Sequence, residues 1–99
     1  MKIEKDEIYT FKFTTGEEVV AKVVEIQDSV LQIRHPILMI VGPQGLQMMP
    51  ALFSSHMDKT VQINTNSIVL VADTRNDVRN KYVEATTGIA PVTKSIITG

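Results

Sequence analysis

Residues 16–35, Gly-Glu-Glu-Val-Val-Ala-Lys-Val-Val-Glu-Ile-Gln-Asp-Ser-Val-Leu-Gln-Ile-Arg-His, hold the pattern from which the rest of the chain is read. From Glu18 to Gln27 the residues alternate, with Val19, Ala21 and Val23 on one parity and Val20, Lys22, Val24 and Ile26 on the other. This is the period of a strand, and both of its faces are partly apolar. Asp28-Ser29 interrupts it with turn-forming residues. Val30 to His35 then resumes with β-branched and aliphatic side chains, which predicts an antiparallel return and a tight hairpin.

Upstream, Tyr9, Phe11 and Phe13 fall on alternate positions within Ile8 to Thr14, a first strand ended by Thr15-Gly16. Downstream, Pro36 removes a ladder donor and marks a bend or bulge, after which Ile37 to Val41 runs on as extended chain. Gly42-Pro43-Gln44-Gly45 predicts a second hairpin, with Leu46 to Phe53 as the returning strand. Ser54 to Thr60 reads as loop, Val61 to Ile63 as a short strand, Asn64 to Ser67 as a turn, and Ile68 to Ala72 as a buried final strand. Thr74 and Asp77 stand at capping-box spacing ahead of Val78, Tyr82 and Ala85, so residues 75–86 predict a short amphipathic helix, with Asp77 and Lys81 able to pair on its exposed face. Gly88 is a natural stop, and the segment to Gly99 reads either as a flexible arm or as an extra strand. The expected organisation is a β domain over residues 1–73, followed by a helix and tail over 74–99.

A chain of 99 residues with 43% apolar side chains fits one modest core. A domain of that size gains stability from burying an interface with identical subunits. The net charge of −1 argues against bulk electrostatic coating of nucleic acid, so any such site has to be local. Cysteine is absent, which removes disulfides, thiol nucleophiles and thiolate metal sites and fits a reducing, cytoplasmic setting. The charged start, Met1 to Glu7, lacks the apolar core of a secretory signal, and no apolar run approaches the length of a spanning helix, so neither export nor membrane insertion is expected.

Gly16, Val20, Val24, Asp28, Leu31 and Gln32 stand in the order of the first motif of the Sm and Sm-like family, with Gln32 where the family usually has Asn. Ile63-Asn64-Thr65 followed by Ile68 and Leu70 stands where that family has Ile-Arg-Gly and an aliphatic strand. Over roughly Tyr9 to Ala72 the chain thus resembles Sm-like (Hfq-like) proteins, and it is similar to the divergent Sm-like proteins of marine cyanophages. The resemblance implies a small, strongly bent five-stranded barrel, homo-oligomeric rings and a phage-infected bacterial cytoplasm. Two departures stand against it: the family's N-terminal helix is lacking, and so are the Arg and Gly of its second motif.

The same resemblance implies that single-stranded RNA, or alternatively DNA, is held where the turn after the second strand meets the turn before the last. The matching positions are Asp28, Leu31, Gln32, Asn64 and Thr65. Gln32 and Asn64 each carry a donor and an acceptor suited to a base edge, although Asp28 and Asn64 are equally good plain turn formers. Arg34 and His35, at the end of the same strand, could meet phosphate or stack on a base, or could be ordinary edge residues. Lys59, Arg75, Arg79 and Lys81 are interleaved with Asp58, Asp73 and Asp77 and read as a solvated face. His35 and His56 lie on separate segments with no carboxylate at ligand spacing, so no metal site or cofactor is expected. No nucleophile–base pair or phosphate loop is present either, which makes an enzyme the least expected class. The alternative to RNA binding is a structural or adaptor ring that contacts only protein.

Overall fold

In a computed structural model, which describes residues 2–87, the alternating segments form one antiparallel sheet and a single helix closes the described chain. The strands are β1 (Ile8–Phe13), β2 (Glu18–Ile26), β3 (Val30–Gly42), β4 (Gly45–Pro50), β5 (Val61–Asn64) and β6 (Ile68–Asp73), and α1 spans Asn76–Thr87. Their order is β4-β3-β2-β1-β6, with β5 also paired to β3. The fold class is therefore mostly β. The Cα radius of gyration of 13.8 Å is close to the roughly 13 Å of a compact domain this long.

β3 organises the sheet. One of its edges is lined by β2, while the other is shared by two short strands, β5 opposite Val30 to Ile33 and β4 opposite Ile37 to Gly42. Pro36 sits between these halves, where its missing N–H removes nothing from the ladder, and its carbonyl accepts the Ala51 N–H at 2.9 Å. β4 stops at Pro50 rather than continuing to Phe53, and residues 51–60 loop away before β5 rejoins the edge. Among the described residues β6 pairs only with β1, and β4 and β5 only with β3, so the sheet does not close.

Two bulges bend it. Val20 faces Ile37 and Lys22 faces Arg34, which leaves Ala21 opposite both His35 and Pro36; Val24 is the extra residue on β2 between Val23↔Ile33 and Glu25↔Gln32. His35 takes a left-handed φ of 54°, the conformation that lets the strand absorb its extra residue. Because of that residue, Arg34, Ile37 and Met39 share one face, although strict alternation would have put Arg34 with Leu38. Gly16, at φ 102°, makes the tight β1–β2 turn, in which its N–H reaches the Phe13 carbonyl at 2.9 Å.

The core has two parts, one on each face. Tyr9, Phe11, Ala21, Val23, Leu31 and Ile33 form the first, with Val61, Ile63 and Val71 packed around them. Val20, Ile37, Met39, Val78 and Tyr82 form the second, which seats α1 on the sheet.

Several local expectations are corrected. β6 is not a buried strand: Val69 and Leu70 are 58% and 61% exposed, because the strand lies at the sheet's edge. Thr74 does not cap α1 through a capping box; it is buried, and its hydroxyl lies 3.0 Å from that of Thr10. Asp77 pairs with Arg75 at 2.6 Å, not with Lys81, and accepts the Val78 N–H at 3.0 Å. The expectations for Gly88 to Gly99 fall outside the described residues. No helix among the described residues is long and apolar enough to cross a membrane.

Candidate nucleic-acid interface

The β2–β3 hairpin is closed by the Gln27 N–H on the Val30 carbonyl at 2.9 Å, which holds Asp28 and Ser29 at an exposed tip. The β5–β6 connection is a single 3-10 turn, Thr65–Ser67, capped by Asn64, whose Oδ1 accepts the Asn66 N–H at 2.9 Å. These two turns meet: the Thr65 N–H donates to the Ser29 carbonyl at 2.9 Å, and Val30 lies opposite Asn64 in the β3–β5 ladder. Asp28, Gln32, Asn64 and Thr65 are thereby gathered into one corner although they are far apart in sequence.

Alternation decides which of them can touch a ligand. Leu31 and Ile33 point inward, and Leu31 at 2% exposure supports the corner from behind without presenting a side chain to solvent. Gln32 lies on the opposite face, across the ladder from Gln62, and its Nε2 donates to Gln62 Oε1 at 3.4 Å. Gln62 and Asn64 share the outward parity of β5. The result is a row of three carboxamides, Gln32, Gln62 and Asn64. Asn64 has its acceptor committed to the turn, so its amino group is the end left to meet a ligand. The sequence does not single out Gln62, because Val61 to Ile63 carry no sign of which strand they join; the pairing with β3 is what brings it beside Gln32.

Arg34 and His35 stand further along β3, at the bulge, on the face that carries α1. The Tyr82 hydroxyl reaches down from the helix and mends the ladder there. It accepts the Lys22 N–H at 3.0 Å and lies 2.9 Å from the carbonyls of both Arg34 and His35, sharing its one hydrogen between them. Burial is the main cause that holds His35 below the usual imidazole range, aided by the charges of Arg34 and Lys22 and opposed by Asp58, so the ring is neutral at pH 7. Of the basic residues read as a solvated face, Arg75 is tied to Asp77, whereas Arg79 lines the groove beside His35.

Burial also pushes the Tyr82 hydroxyl up to about 12 from its ordinary 10.0, because a phenolate there would lose water. The folded state thus holds this proton more tightly than the unfolded chain. The resulting stability is fully present below pH 10.0 and is lost as the pH rises towards about 12. Urea midpoints should fall through that window more steeply for the natural chain than for a Tyr82→Phe variant, which has no proton to lose. Parallel curves would show that Tyr82 is not the linked group.

No protein-family model matches the chain, and no curated protein matches it.

Proposed function

We propose that the chain is a subunit of an Sm-like homo-oligomeric ring that binds single-stranded nucleic acid, RNA in preference to DNA, at the corner formed by Asp28, Gln32, Asn64 and Thr65. The observation that carries this reading is the hydrogen bond between the two turns, Thr65 N–H to Ser29 C=O, which gathers the carboxamide row of Gln32, Gln62 and Asn64 on one face. Carboxamides pair with base edges through both a donor and an acceptor, which is how splayed single strands are read. Arg34, two residues beyond Gln32, supplies charge for the backbone.

The sheet's free edges support the proposed ring. β6 on one side and β4 with β5 on the other have unpaired outer edges among the described residues, and pairing between neighbours would close a barrel-like assembly. Val69 and Leu70 on β6 and Val41 and Leu46 of the β3–β4 hairpin are exposed apolar residues fit for burial in that contact. Phe53, 78% exposed in the loop after β4, favours the second reading, an adaptor ring that engages protein.

Light scattering tests the assembly and fluorescence anisotropy with short U-rich and A-rich oligonucleotides at low salt tests the ligand. A Gln32→Ala, Asn64→Ala double variant removes about two hydrogen-bonding groups, so affinity should drop about tenfold to a hundredfold. Asn64→Asp keeps the cap on Asn66 while removing the amino group, which separates lost contact from a loosened turn. A monomeric chain defeats the ring, and unchanged affinity in the double variant defeats the site.

A further inference from the structure

The bulge in β3 opens a second feature that the carboxamide corner does not use. A groove of about 330 Å³ runs between α1 and the sheet, lined by Lys22, Arg34 and His35 from the strands, Arg79, Tyr82 and Thr86 from the helix, and Asp6 from the N-terminal segment. Three cationic side chains from three separate elements thus face a single carboxylate.

No carboxylate among the described residues forms an ion pair with any of the three. The ion pairs among the described residues are Lys5–Glu25 and Arg75–Asp77, and neither involves Lys22, Arg34 or Arg79. The Arg34 Nε is buried and finds no hydrogen-bond partner among the described residues. An unsatisfied buried donor is costly, and a small side-chain shift that uncovers the Arg34 Nε–H beside an Nη–H would present to the groove the fork that fits two oxygens of one oxyanion. Tyr82 cannot serve it, because its hydroxyl is engaged with Lys22 N–H and the carbonyls of Arg34 and His35.

We infer that this groove binds a phosphoryl group, a phosphate monoester dianion held by the Arg34 fork, the Lys22 ammonium and the Arg79 guanidinium, with the His35 imidazole beside it. A carboxylate would be filled by Arg34 alone; a tetrahedral dianion has enough oxygens for donors arriving from β2, β3 and α1 together. Arg34 and Gln32 lie two residues apart on one strand face, about 6.5 Å, so a nucleotide could place its phosphate in the groove and its base at the corner. The groove itself does not depend on the nucleic-acid reading. The phosphoryl group could be that of a free metabolite or the 5′ end of an oligonucleotide.

The test begins with inorganic phosphate, titrated into the full chain at ionic strength matched with chloride and followed by NMR. The expected result is saturable shifts confined to the Arg34 Nε–H, the His35 ring and the residues around them, with affinity reduced at least about tenfold by Arg79→Gln. Arg79 is exposed on the helix, so this variant should fold normally, and Arg34→Lys, which keeps the charge but loses the fork, should weaken binding as well. Shifts scattered over the surface, or phosphate affinity unchanged in Arg79→Gln, overturn the proposal. Uridine monophosphate against uridine, and 5′-phosphorylated against 5′-hydroxyl oligonucleotides, then identify the source. If the phosphates bind and the oligonucleotides do not, the groove stands and the nucleic-acid reading fails; if oligonucleotides bind without regard to the 5′ phosphate and inorganic phosphate does not, the groove fails alone.

Discussion

Tyr82→Ala is expected to remove about 3–5 kcal/mol of stability, a large share of the roughly 5–15 kcal/mol that holds a small domain folded. The ring is 2% exposed and joins Val20, Ile37, Met39 and Val78 in the cluster that fastens α1 to the sheet, so its removal opens a cavity that backbone shifts only partly refill. The hydroxyl adds a second loss. The β3 bulge leaves the Lys22 N–H and the carbonyls of Arg34 and His35 to be satisfied from the helix, and the phenol oxygen does so at 2.9–3.0 Å. Tyr82→Phe isolates that share, and about 1–3 kcal/mol is expected for stranding the Lys22 donor. Urea unfolding followed by circular dichroism measures both. If Tyr82→Phe unfolds with the natural chain, the hydroxyl does not hold the bulge. The same substitution should loosen the groove, since Lys22 and Arg34 flank the repaired ladder.

Phe11→Ala should cost a similar amount, about 3–5 kcal/mol, through the other face of the sheet. Phe11 is 0% exposed, lies between Val19 on β2 and Val71 on β6, and leans against Tyr9 with ring centroids 6.3 Å apart and planes at 58°. A tilted aromatic pair of this kind contributes about 0.5–1.5 kcal/mol beyond its buried area. Loss of Phe11 also weakens the only strand to which β6 is paired among the described residues. Hydrogen exchange should therefore show Val69 to Ala72 losing protection before β3 does, and Phe13→Ala, at a half-buried position, should do less on both counts. Equal effects from Phe11 and Phe13 would mean that the first core is centred elsewhere.

Those two side chains also show what could be read from the sequence and what could not. Tyr9, Phe11 and Phe13 alternate cleanly because all three line the first core, while the other parity of β1 carries Ile8 at the edge of the second core with polar Thr10 and Lys12, and the period alone locates the strand. Along β2 the alternation blurs, since Val19, Val20 and Ala21 are all buried, and that blur was itself the mark of a strand with packing on both sides. β6 departs from its apolar composition for a related reason. Ile68-Val69-Leu70-Val71 is as apolar as a central strand, but composition records only what a strand could bury, not whether a neighbour lies against it. Thr74 and Asp77 had the spacing of a helix cap, yet a Thr hydroxyl was free to choose Thr10, 64 positions away, over the backbone beside it. At the candidate corner, Asp28, Gln32 and Asn64 were visible as turn and amide residues. Gln62 and the Tyr82 clasp became apparent only once β5 and α1 had been seated, because each depends on a partner distant along the chain.

The split partnership of β3 has one more consequence. β4 and β5 are anchored on the same edge of one strand, and residues 51–60 depart from that edge and return to it, almost wholly exposed along the way. Nothing in the ladder measures how long this detour is. Doubling it would add only about 0.6 kcal/mol of closure entropy, so a reporter peptide or affinity tag spliced into Ser54–Lys59 would ride outside the sheet, and the framework could serve as a carrier for foreign loops.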